Sequence, residues 1–276
     1  MPPALRLGVS GAAYLRPLTW GLEQEPELFH LHHDVPAKLA YEMTEHTGAL
    51  QCAFLSPIDY ARHGGTFRIV PGLCVASAVP TDTICLYIKP GVRNVGRLAV
   101  DIRVTSEIIL AKIILMERFP NLPSDHESTR FVPMMPDVAA MLQKGDAALI
   151  SHVGPPLPAA GEAFRVDLVQ EWSDLTGLPY VHGVWVTEEG LFSPNHLEAL
   201  GAAKRKGLAE QDAIALQLAN EGFGSRESCR SYIGAFSYDL GDQERQALEE
   251  FIQYAFFYGV LPDAPELNFL EPLPEP

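Results

Sequence analysis

The stretch that decides the architecture runs from Leu5 to Leu55: LRLGVSGAAYLRPLTWGLEQEPELFHLHHDVPAKLAYEMTEHTGALQCAFL. Leu5–Val9 is a short apolar run and reads as a strand. Leu18–Leu22 reads as the start of a helix, Leu28–His33 as a second strand, Pro36–Glu45 as a helix, and Gln51–Leu55 as a third, buried strand. Strand, helix, strand, helix, strand is the signature of an α/β unit with a largely parallel sheet. Phe67–Val70, Leu73–Ser77 and Thr83–Ile88 read as further strands. After Lys89-Pro90-Gly91 the pattern restarts. Leu98–Asp101, Arg130–Val132 and Ala147–Ile150 read as strands, with helices at Ser106–Arg118 and Asp137–Gln143. Val181–Val186 reads as a strand leading out of this second unit. From Ser193 onward the chain reads as helical, with Ser193-Pro194 as a start signal and Gly259 as a stop after Gln243–Tyr258. The expected fold class is therefore α/β with two lobes: residues 1–90 plus 187–276 form one, and residues 91–186 are inserted as the other. The expected hinges are Lys89–Val95 and Val181–Glu189, with a ligand cleft between the lobes at strand ends and helix starts.

At 276 residues the chain is long enough for two units of roughly 100–150 residues, each with its own core. Hydrophobic residues make up 47% and charged residues 20%, which is ordinary globular composition and excludes disorder as the main state. The formal net charge of −15 repels phosphate backbones, which argues against a nucleic-acid partner. It leaves room for a small anion held by local amides at a helix start. Cys52, Cys74, Cys85 and Cys229 form no C-x-x-C pair and sit among apolar or small neighbours, so they read as reduced core thiols. No stretch is long and apolar enough to span a membrane, and MPPALRLGVSG carries no long apolar signal region. A cytoplasmic protein without a membrane partner is expected.

The most informative local pattern is Val100-Asp101-Ile102-Arg103-Val104-Thr105-Ser106, ahead of an apolar helix. A strand ends, a loop turns, and hydroxyl residues open a helix whose free N–H groups favour a carboxylate. The plainer alternative is that Thr105 or Ser106 only caps the helix. Ser10-Gly11, Ser56-Pro57, and Ser77 with Thr83 mark other strand ends that can converge on the same cleft. His152 follows the strand Ala147–Ile150 and precedes Val153-Gly154-Pro155-Pro156, where an imidazole can serve as a base near neutral pH. His30, His32, His33 and Asp34 invite a metal reading, but no full ligand set is visible, so an edge or surface strand is the better account. No G-x-x-x-x-G-K-[ST], G-x-G-x-x-G or G-x-S-x-G motif is present, which excludes the usual nucleotide-binding and hydrolase signatures.

RPLTWGLE (Arg16–Glu23), QCAFLSPIDYAR (Gln51–Arg62) and FRIVPGLCVAS (Phe67–Ser77) resemble the corresponding stretches of the chorismate dehydratase family of the futalosine route to menaquinone. The likeness continues through GDAALI (Gly145–Ile150), EWSDLTGLPYVHGVW (Glu171–Trp185) and YDLGDQERQALEEFIQYAFFYGVL (Tyr238–Leu261), covering nearly the whole chain in order. The resemblance implies a two-lobed fold like the type II periplasmic binding proteins, used as an enzyme. It implies conversion of chorismate to 3-[(1-carboxyvinyl)oxy]benzoate and water without a metal or organic cofactor. The partner is then a small dianion, and the protein a monomer or homodimer.

On this reading Ser10, Gly11, Ser56, Ser77, Thr83, Arg103, Thr105 and Ser106 hold carboxylates and hydroxyls of the substrate. Tyr14, His152 or the substrate's own side-chain carboxylate handles the proton. The sequence departs from the family at Tyr14, which stands where the family has an Asn facing the substrate, and at Ser151-His152, which replaces a Gly-Asp. A His in a similar place is the proton acceptor of the sister 1,4-dihydroxy-6-naphthoate synthase family, which gives a second expectation for the activity. A small-anion binding protein that has lost its chemistry is the third.

Overall fold

In the computed structural model, residues 4–44, 50–63, 65–119, 129–155 and 161–271 are described. Among the described residues ten strands form two five-stranded sheets. The first contains β1 (Leu5–Val9), β2 (Phe29–His33), β3 (Cys52–Leu55), β4 (Phe67–Ser77) and β10 (Tyr180–Glu188), in the order β2-β1-β3-β10-β4. The second contains β5 (Ile84–Ile88), β6 (Arg97–Asp101), β7 (Arg130–Met134), β8 (Ala147–Ser151) and β9 (Phe164–Asp167), in the order β7-β6-β8-β5-β9. In each sheet the first three strands run parallel, and the fourth lies antiparallel to both its neighbours. That fourth strand is the one that has just crossed from the other sheet, so the two halves repeat one topology without repeating sequence.

Both crossing points differ from the expected ones. β5 pairs with β8 and β9 in the second sheet, so the chain leaves the first sheet between Ser77 and Ile84 rather than at Lys89–Val95. β10 pairs with β3 and β4 in the first sheet, so the return lies between Asp167 and Tyr180 rather than at Val181–Glu189. Every residue of β5, and eight of nine in β10, is buried. Such strands fit the interior of either sheet by composition, and only pairing decides which.

The helices are α1 (Arg16–Thr19), α2 (Pro36–Thr44), α3 (Pro57–Ala61), α4 (Ser106–Arg118), α5 (Val138–Lys144), α6 (Leu168–Thr176), α7 (Pro194–Ala209), α8 (Gln211–Asn220), α9 (Arg226–Gly234) and α10 (Asp242–Phe257). Glu45, expected to end α2, lies outside the described residues, as do Pro156 and residues 272–276. Ser193 caps α7 by accepting from the His196 amide, while the His196 ring accepts from the Ser193 amide at 3.0 Å. For α10 the cap is Gly241 rather than a residue with a capping side chain; Glu244 accepts the Gly241 amide at 3.1 Å. Gly259 stops it in a left-handed turn (φ 67°). Phe67–Ser77, expected as two strands, is one, kinked where Gly72 takes φ 73°.

The main core crosses the lobe boundary. Ile109, Leu110, Ile113 and Ile114 of α4 pack in one apolar cluster with Trp172 of α6, Val184 of β10 and Phe251 of α10. This burial, together with α3 against α4, fixes the two sheets with the carboxyl ends of β1 and β2 facing those of β6 and β8.

Candidate active site

A cleft of about 400 Å³ opens between these strand ends. Ser10, Gly11 and Tyr14 line it from the segment after β1, and Asp34 and Pro36 from the start of α2. Arg103 and Glu107 line it from the β6–α4 turn, and Ser151 and His152 from the end of β8. The two walls are tied by the Ala13 amide, which donates to the Val153 carbonyl at 2.7 Å.

Arg103 is held flat by its neighbour two residues back. Its Nε donates to Asp101 Oδ1 at 2.9 Å, its Nη2 to Asp101 Oδ2 at 2.6 Å, and Nη2 also reaches the Ser151 carbonyl at 3.0 Å. Asp101 is fully buried, so the pair fixes the guanidinium's plane at the cleft wall. His152 is buried, with Nε2 2.9 Å from the Tyr87 hydroxyl. Burial, and then the Arg103 charge, push its pKa down to about 4, so the ring is neutral at pH 7 and a weak base. Tyr14 is half-buried, with its ring 5.4 Å from those of His182 and Phe236. Burial first, then the charge of Glu107, raise its pKa well above the usual phenol range, so the hydroxyl keeps its proton.

Glu107 was not singled out from the sequence. An acid in the first turn of a helix ordinarily only complements the helix dipole, so nothing there marked it. In the fold its Oε2 accepts the Thr105 amide at 3.2 Å and the Ser151 hydroxyl bonds to it. Burial, and to a lesser degree the nearby Asp59, nevertheless push its pKa up to about 7.

The expected site residues divide into three groups. Ser10, Gly11, Tyr14, Arg103 and His152 line the cleft. Ser56, Thr105 and Ser106 come together, but on each other's elements and not in the open cleft. Thr105 Oγ1 donates to Asp59 Oδ2 at 2.7 Å, Ser56 Oγ donates to the same oxygen at 2.6 Å, and Ser106 Oγ accepts the Ile58 amide at 3.1 Å. The helix start expected to receive a substrate carboxylate is filled by the protein's own Asp59 and Glu107. Asp59 and Ile58 belong to the other lobe, so no local pattern around Thr105 could reveal them. Ser77 and Thr83 are buried beneath the cleft. Ser77 Oγ lies 3.0 Å from His182 Nε2, and Thr83 Oγ1 lies 3.2 Å from the Tyr232 hydroxyl. His182 is aimed there by a bulge between Val181 and Gly183, and burial pushes its pKa down to about 3. In this structure the hydroxyls of these five residues bond to protein groups.

His30 and His32 sit on β2, which is an edge strand. His32, Asp34 and Glu42 do cluster, but the Lys38 ammonium already pairs with both carboxylates. All four cysteines are buried free thiols.

Two sheets of this shared strand order, joined by two crossings around a cleft, define the type II periplasmic-binding-protein fold. Solved structures agree. A structural-genomics protein from Archaeoglobus fulgidus aligns with a TM-score of 0.73 at 19% identity, covering 94% of this chain and 98% of that one. The periplasmic aliphatic sulphonate binding protein of Escherichia coli aligns with a TM-score of 0.60 at 10% identity, covering 100% and 94%. The chain belongs to the menaquinone biosynthesis family, which it matches over residues 5–256. A relative named chorismate dehydratase, from Thermus thermophilus, is 25% identical over 258 residues, 90% of this chain and 93% of that protein. Among the described residues no helix is long and apolar enough to cross a membrane.

Proposed function

We propose that this protein is a chorismate dehydratase, a carbon–oxygen lyase that removes water from chorismate to give 3-[(1-carboxyvinyl)oxy]benzoate. The observation that carries the proposal is the near full-length match to a chorismate dehydratase within the menaquinone biosynthesis family. The cleft suits that substrate: its volume is in the range of small-ligand sites, and Arg103 presents a fixed guanidinium to a carboxylate. Ser10 and Gly11, at the end of β1, line the opposite wall.

The ring proton lost is vinylogous to the ring carboxylate. As its C–H bond breaks, the electron pair spreads into that carboxylate, where hydrogen-bond donors stabilise it more than in the ground state. The pair then returns to the ring and expels the neighbouring hydroxyl, which leaves as water with a proton, and the ring becomes aromatic. Tyr14, which retains its proton, is a donor toward the leaving hydroxyl rather than a base. His152 is a weak base tied to Tyr87, so the substrate's own side-chain carboxylate is the better proton acceptor. The same property of His152 disfavours naphthoate synthase chemistry.

Purified protein incubated with chorismate gives an aromatic product, followed by absorbance and mass. Chorismate recovered unchanged, with the protein folded, overturns the proposal.

A further inference from the structure

A dianion in this cleft meets little free positive charge. Arg103 is already matched by the buried carboxylate of Asp101. Asp34 on the facing wall is matched by Lys38. Glu107 is left over: among the described residues no lysine or arginine forms an ion pair with it, and it bonds to its own amide, the Thr105 amide and the Ser151 hydroxyl. As an anion it would face two substrate carboxylates across a half-buried space. As an acid it would bring to them a hydrogen-bond donor aimed from the helix start.

We propose that the cleft takes up one proton with its dianionic ligand, at Glu107, and that the protonated carboxyl donates a hydrogen bond to a ligand carboxylate. The identity of the dianion rests on the dehydratase reading; the proton uptake does not. The groups facing Glu107 are Asp59 from α3, Tyr14 after β1, Tyr180 from β10, the Arg103–Asp101 pair, and His152 with Ser151 after β8. Tyr14 and Tyr180 keep their protons because burial raises both, and His152 stays neutral because burial lowers it to about 4. Glu107, pushed up to about 7, is poised to change state on binding, and an incoming dianion raises it further. A buried carboxylic acid kept neutral as a donor is a known way to stabilise a developing oxyanion. Here the ring carboxylate gains charge as the ring proton leaves, so the same hydrogen bond strengthens during the reaction.

Isothermal titration with two aromatic dicarboxylates, the enolpyruvyl ether product and isophthalate, in buffers of different ionisation heat reads the proton directly. Uptake of about 0.8 proton is expected at pH 8, vanishing by about pH 5.5, with affinity falling up to about tenfold per pH unit above 7. Glu107→Gln is expected to abolish the uptake and bind at pH 8 as the wild type does at pH 6. His33→Asn, which removes the exposed imidazole at the mouth, is expected to leave the uptake unchanged. Binding by the wild type at pH 8 without uptake, uptake persisting in Glu107→Gln, uptake lost in His33→Asn, or binding of neither ligand at any pH overturns the inference. Isophthalate bound with uptake while chorismate is neither bound nor turned over overturns the dehydratase reading and leaves Glu107 as assigned.

Discussion

Glu107 concentrates the energetics of the site at one residue. Its carboxyl is worth less to the fold when ionised, because burial raises its pKa from 4.5 to about 7. The sign follows from linkage. The favourable contribution is complete below about pH 4.5 and is lost as pH rises through 7. Glu107→Gln keeps an acceptor for the Thr105 amide and removes the charge. It should therefore stabilise the ligand-free protein by about 3 kcal/mol at pH 8, and by close to nothing at pH 4.5, in urea titrations at the two pH values. An equal effect at both would mean that folding does not shift the pKa of Glu107. The neighbouring imidazole behaves oppositely. His152, held at about 4, contributes stability above pH 6.5 that disappears as pH falls through 4.

At the scale of elements, close approach matters more than propensity. α7 lies against α1 at Gly207, where an added Cβ would come within 2.0 Å of the Pro17 carbonyl oxygen. That oxygen belongs to the backbone and cannot move aside without shifting α1. Gly207→Ala, which would favour an isolated helix, should instead cost about 2 kcal/mol and lower the melting temperature by about 5 °C. A neutral or raised melting temperature would show that α7 can slide. α4 gives a second case. Its start has hydroxyls in the usual places, yet Thr105 does not cap it. The hydroxyl is drawn to Asp59 on α3, and the helix start is served by Glu107 instead.

Taken whole, the molecule has two lobes latched beside the cleft. Thr105 to Asp59 and Ile58 to Ser106 join them on one side, and Ala13 to Val153 on the other. Thr105→Val keeps the shape and removes the donor to a buried carboxylate, a change worth about 1.5–3 kcal/mol. The ligand-free variant should populate an open arrangement, with a larger radius of gyration in X-ray scattering that ligand restores, and a reduced kcat/KM. Scattering and kcat/KM identical to the wild type would show that this bond does not hold the lobes together.

Much of this was legible in the chain alone. Alternating apolar runs and helical patterns from Leu5 to Leu55, and again after Gly91, required two α/β units, because the period of hydrophobic residues is a local property. The resemblance carried by Gln51–Arg62 and Tyr238–Leu261 pointed to the family. Ser10, Gly11, Arg103 and His152 could be placed near one cleft because each follows a strand end. What stayed hidden depends on partners distant in sequence. β5 and β10 are apolar on both faces, so their composition is the same whichever sheet they enter; hydrogen-bond pairing with β8 and β9, or with β3 and β4, makes the choice. The hydroxyls of Ser56, Thr105 and Ser106 look like open donors until α3 meets α4 across the lobe boundary and closes them. Glu107 becomes a group that titrates near neutrality only because that same contact buries it beside Asp59, and burial is set by the whole chain and not by the residue.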